Sequence, residues 1–101
     1  MSAVQEFLGY LQVERRASAH TLDAYRRDLD AVSAWAGAQG AEAEALDAEQ
    51  LRQFIAAEHR RGLAPKSLQR RLSACRSFYA WLLKHHRIAA SPAATLKAPK
   101  A

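Results

Sequence analysis

The run PKSLQRRLSACRSFYAWLLKHH, residues 65–86, decides the fold. Leu68, Leu72, Cys75, Tyr79 and Leu82 recur at steps of three and four. At about 100° per residue they gather within about 80° of one another on a helix, the longest apolar stripe in the chain. Pro65 suits a first helical turn, where its missing N–H leaves no bond unmade. The spacing predicts a helix over 65–86. His85 and His86 close it, where donors suit the exposed carbonyls, and two adjacent histidines cannot share a metal as an i, i+4 pair can.

Outward from this run, three more apolar stripes appear. Val4, Phe7, Leu8 and Leu11 predict a helix over 3–15. Ser18 is a natural N-cap for a second helix over 19–37, carried by Leu22, Tyr25, Leu29, Val32 and Ala36 and closed by Gly37 and Gly40. The segment AQGAEAEA that follows has no apolar period and reads as a loop. Asp47 then caps a third helix to residue 60, with Leu51, Phe54 and Ile55 on its stripe, Arg60 and Arg61 in its last turn and Gly62 beyond. Ser91 and Pro92 signal a helix start, yet Pro99 leaves room only for a short turn or helix over 92–97. No segment has a strand period, so the expected fold class is all-α: a compact bundle of four amphipathic helices plus a short C-terminal element.

A length of 101 residues supports one core and not two. With 50% hydrophobic and 25% charged residues the chain is far from disordered composition. Fifteen Lys and Arg against ten Asp and Glu give a net charge of +5, which favours an anionic partner. The lone Cys75 cannot form an internal disulfide and reads as a buried small hydrophobe; no Cys and His set has metal-ligand spacing. No apolar run approaches the ~20 residues that span a bilayer, and the N-terminus lacks a basic leader. A cytoplasmic, metal-free and cofactor-free domain is expected, with no membrane association.

On the predicted fourth helix, Lys66, Arg70, Ser73, Ser77 and Lys84 lie opposite the apolar stripe. This face is either a solvated basic surface or one that lies in a DNA major groove, where Ser73, Ser77 and Ala80 let the backbone come close and Lys66 and Arg70 reach phosphates or guanine edges. A second candidate surface is the start of the second helix, where His20 and Thr21 stand at the positive dipole end and Arg27 follows on the polar face. Asp23 and Asp30 flank Arg27 at ion-pairing distance along the helix. For catalysis there is no phosphate loop and no nucleophile elbow, and Glu42 and Glu44 sit in a loop with no matched acid or base. Trp35 and Trp81, among apolar neighbours, are expected in the core.

Three stretches together carry a resemblance: FLGYLQVERRASAHTLDAYRRDLDAVSAW, GLAPKSLQRRLSACRSFYAWL and SPAATLKAPK. They resemble the N-terminal core-binding domain of Xer-type tyrosine recombinases, nearest the XerC branch. The marks are Ser18, Thr21 and Tyr25 in sequence, the RLSACRSFYAWL run and the terminal Pro and Lys segment. The resemblance implies a core-binding domain over 1–96 and a linker from 97–101 toward a catalytic domain. It implies helices 2 and 4 in the major groove of a recombination half-site in double-stranded DNA. Thr21, Arg27, Lys66, Ser67, Arg70 and Arg71 then match the family's DNA-contacting positions, and His20, Ser73 and Ser77, singled out above on the same two helices, complete the expected DNA-facing set, with Arg76 at the edge of the core stripe as either a contact or a structural residue. None of Tyr10, Tyr25 and Tyr79 matches the family's nucleophile, so no catalytic residue is expected here. The parent is expected to act in DNA integration and chromosome partition at cell division, in a DNA-bound tetramer with partner recombinase subunits. The rival reading is a helical protein-interaction module. On these assignments Leu72→Ala costs about 2–5 kcal/mol, while Arg70→Ala leaves the melting temperature nearly unchanged.

Overall fold

Three of the four helices begin where a side chain satisfies their free amides, and the fourth begins on a proline. The computed structural model describes residues 2–97. Helix α1, Ala3–Val13, opens with a capping box: Ser2 Oγ accepts from the Gln5 N–H at 3.1 Å, and Gln5 Oε1 accepts from the Ser2 N–H at 3.0 Å. Helix α2, Ala19–Ala38, has the expected Ser18 cap, whose Oγ accepts from the Thr21 N–H at 3.1 Å. Helix α3, Ala48–Arg60, starts on a second capping box between Asp47 and Gln50, with the two bonds at 2.8 and 3.0 Å. Helix α4, Pro65–Lys84, has Pro65 at its first position, as expected.

Two helices stop about two residues short of expectation, for the same reason. After α1, Arg16 adopts a left-handed φ of 51° and the Ala17 N–H reaches back to the Leu11 carbonyl at 2.9 Å. After α4, His86 takes a φ of 57° and the Arg87 N–H reaches the Leu82 carbonyl at 2.9 Å. The second is the six-residue closure of a helix end that a glycine usually provides, and the first spans one residue more. The segment read as a loop contains a 3-10 turn, Ala43–Ala45, with Ala43 and Leu46 buried. Beyond α4 the chain forms turns over 92–95 and no helix, and Ala93 is buried against the bundle. Of the expected linker over 97–101, all but Lys97 lies outside the described residues.

Helix α4 is the central element, packed against α1, α2 and α3. Its Leu68, Leu72, Cys75, Phe78, Tyr79 and Leu82 are fully enclosed, each large side chain contributing about 1.5–3 kcal/mol through burial. Phe7 from α1 is the aromatic hub, with ring centroids of Trp81, Phe78 and Tyr25 at 5.5, 5.7 and 5.9 Å. Trp35 and Trp81 flank the core, half-buried, rather than lying inside it. The described residues contain no strand. A radius of gyration of 12.9 Å matches the ~13 Å of one domain this size. The fold class is all-α, as the periodicity implies.

Candidate nucleic-acid interface

Helices α2 and α4 pack side by side, and their chain directions oppose, since Arg70 meets Asp28 while Ser77 meets Tyr25. Their outer edges form an open cleft of about 250 Å³ lined by His20, Thr21, Ala24, Asp28, Arg70 and Ser73, among others. Thr21 also borders the neighbouring cleft that holds Arg15, Tyr25 and Ser77. Four of the residues singled out in the sequence, His20, Thr21, Arg70 and Ser73, therefore line one cleft, and Ser77 lines its neighbour. Lys66 and Arg27 extend its line, one turn before Arg70 on α4 and one turn after Ala24 on α2, and both are exposed. Small side chains in the middle and cations at the rim give a surface that a phosphate backbone can approach closely.

Polar contacts stiffen this face. The Tyr25 hydroxyl donates to Ser77 Oγ at 3.4 Å, which leaves Ser77 half-buried. Asp23, read in the sequence as a partner for Arg27, instead pairs with Arg26 at 3.2 Å. Arg76 donates to the Leu96 carbonyl, tying α4 to the C-terminal turns.

Beneath the cleft runs a chain of charges that sequence reading did not foresee. Arg70 grips Asp28 with both Nε and Nη2, at 2.9 and 3.0 Å. Asp28 also accepts from Arg71 Nε at 3.1 Å, and Arg71 Nη1 donates to Glu58 at 2.8 Å. Glu58 finally receives Arg61 Nη1 at 2.5 Å. The chain links α2, α3 and α4. Asp28, Glu58 and Arg71 are buried, at 1%, 3% and 7% exposure, and each has the partners that a buried charge requires. Donating to the Asp28 carboxylate holds the Arg70 guanidinium above its ordinary pKa.

The structure places three of the expected residues in particular surroundings. The Arg71 guanidinium is committed to two buried carboxylates inside the bundle. Ser67 is half-buried on the helix line of Arg71, Ala74 and Phe78. Arg70, expected from the sequence to be free of the fold, is a bidentate partner of buried Asp28.

The remaining reactive side chains are sequestered. The Tyr79 hydroxyl donates to the Ala43 carbonyl at 2.6 Å and is pushed upward in pKa by burial. Burial pushes the Cys75 thiol up to about 12, so it is neither thiolate nor nucleophile near neutral pH. Among the described residues no helix is long and apolar enough to cross a membrane.

A helical bundle with a basic two-helix groove defines a class that the comparisons identify. The chain belongs to the family of the phage integrase N-terminal SAM-like domain, which matches residues 4–86. It is 72% identical over 102 residues to tyrosine recombinase XerC of Xanthomonas campestris pv. campestris (strain B100), covering 100% of this chain and 32% of that protein. It is 62% identical over 99 residues to tyrosine recombinase XerC of Xylella fastidiosa (strain M23), covering 97% and 34%. To tyrosine recombinase XerC of Salmonella typhi it is 46% identical over 99 residues, covering 97% and 33%. The chain thus spans about a third of the length of these relatives. No solved structure matches it. The resemblance to the XerC branch read from the residues holds.

Proposed function

We propose that this chain is the DNA-binding domain of a site-specific tyrosine recombinase and grips duplex DNA through the groove between α2 and α4. The observation that carries this reading is the convergence of His20, Thr21, Arg70 and Ser73 from two helices onto one cleft, with exposed Lys66 and Arg27 extending it. Phosphate contacts supply most of the affinity, and the small residues in the middle admit the backbone to base edges. The recombination chemistry belongs to the remaining two thirds of the length that the relatives have. Tyr79 is buried, and Tyr10 and Tyr25 pack around Phe7, which supports a nucleophile supplied from outside this chain. The parent cleaves and rejoins DNA in the cytoplasm, in a tetramer with partner recombinase subunits, during chromosome partition at cell division; residues 97–101 lead toward its catalytic domain.

A gel-shift titration at two salt concentrations tests this, using a recombination half-site and scrambled duplex of equal length. Binding that weakens steeply with salt and favours the half-site is expected; binding that is flat with salt would overturn the proposed mode.

One observation favours a second role in assembly. Val13 is 71% exposed and lines a shallow cleft with Tyr10 and Trp81 that shares no residue with the cleft of His20, Thr21, Arg70 and Ser73. Val13→Glu would abolish parent assembly on DNA without changing the affinity of this domain for duplex if that cleft meets a neighbouring subunit.

A further inference from the structure

We infer that Asp28 is a positioning residue that makes Arg70 a reader of guanine in the major groove, an inference that rests on the DNA-binding reading above. A guanidinium carries five N–H donors in a fixed plane. Asp28 takes the Nε–H at 2.9 Å and one Nη2 hydrogen at 3.0 Å, which is one lateral edge of that plane. The tip of the plane, with Nη1 and the second Nη2 hydrogen, is left with two parallel donors. That is the fork that matches the O6 and N7 acceptors of guanine.

The orientation is fixed from below. Asp28 is buried and cannot swing, because its Oδ1 is also held by Arg71 Nε at 3.1 Å, and Arg71 is in turn held by Glu58 at 2.8 Å. Arg70 itself keeps 44% of its side chain exposed over this buried base. Its helix neighbours on the cleft side are Ser73 and Ala74, too small to screen a base edge from it. The Asp28 charge offsets that of Arg70, which weakens its pull on a phosphate while leaving its hydrogen-bond geometry intact. Lys66 and Arg27, without an ion-pair partner among the described residues, are the phosphate contacts by contrast.

The test is selection from a randomised duplex pool by this chain and by Arg70→Lys and Asp28→Asn, with the bound fraction sequenced. The unaltered chain is expected to enrich guanine at one position. Both variants are expected to lose that enrichment, on the order of tenfold, while the base preferences at other positions among the retained duplexes persist. A purely structural role would lower retention at all positions alike. Should Asp28→Asn unfold, Arg70→Lys carries the test alone, since its ammonium still meets Asp28 but presents no planar fork. Guanine enrichment that survives Arg70→Lys, or no guanine enrichment in the unaltered chain, overturns this inference alone. Failure of the unaltered chain to retain any duplex overturns the functional reading beneath it.

Discussion

The carboxylate of Asp28 and the guanidinium of Arg71 meet at 3.1 Å inside the bundle, with side chains only 1% and 9% exposed. Two charges in that position stabilise the fold only as a pair, because either one alone is a desolvated ion. Arg71→Ala leaves buried Asp28 with half-exposed Arg70 alone and buried Glu58 with exposed Arg61 alone, and is expected to cost about 3–5 kcal/mol. Urea denaturation reads this as a lower midpoint. A midpoint near that of the unaltered chain would mean that water reaches the cluster.

Arg70→Ala distinguishes the two halves of the charge chain. Arg71 still satisfies Asp28 in part, so the loss is expected at about 1–3 kcal/mol, where the sequence alone suggested almost none. Leu72→Ala, a cavity in the fully enclosed core, is expected at about 2–5 kcal/mol. Thermal unfolding should rank both below the unaltered chain.

Alkaline pH should destabilise the domain. Burial raises the Cys75 thiol from its ordinary 9.0 to about 12 and moves the Tyr79 hydroxyl in the same direction. Below pH 9.0 the thiol holds its proton in both folded and unfolded chains, and its contribution is fully present. As pH rises from there toward about 12, the unfolded chain releases the proton and the folded one does not, so stability falls. Cys75→Ala is expected to make that decline shallower. Thiol labelling at neutral pH should proceed only as fast as the chain opens.

Lys66→Ala separates binding from folding. The side chain is exposed and makes no ion pair among the described residues, so stability should change by less than about 0.5 kcal/mol. Affinity for half-site and scrambled duplex should fall equally, and the salt slope should decrease by about 1. A loss confined to the half-site would instead make Lys66 a base reader.

Much of the fold was legible because its signals are local. Ser18 and Asp47 each mark a helix start through bonds within one turn, Pro65 does so through its fixed φ, and the apolar stripes at three-and-four spacing placed the buried face of every helix. The helix ends after Val13 and Lys84 were not legible, because Arg16 and His86 close them in a left-handed conformation that usually marks glycine. The buried charges left a signal that went unused. Asp28 lies between Tyr25 and Val32, Arg71 between Leu68 and Cys75, and Glu58 follows Leu51 and Ile55, all on core stripes. Two acids and one base at apolar positions on three different helices imply mutual neutralisation. Which of them meet depends on helix packing, and helix packing is not written in any one segment. The same distance effect placed Ser77 under the Tyr25 hydroxyl, although its angle on α4 alone suggested full exposure.

The most direct measurement is an NMR titration of the isotope-labelled chain with duplex DNA. Amide shifts are expected at His20, Thr21, Arg27, Lys66, Arg70 and Ser73, with little change at Val13 and Leu83. Shifts centred on Val13, Tyr10 and Trp81, or none at the α2–α4 groove at saturating duplex, would contradict that groove as the DNA-binding face.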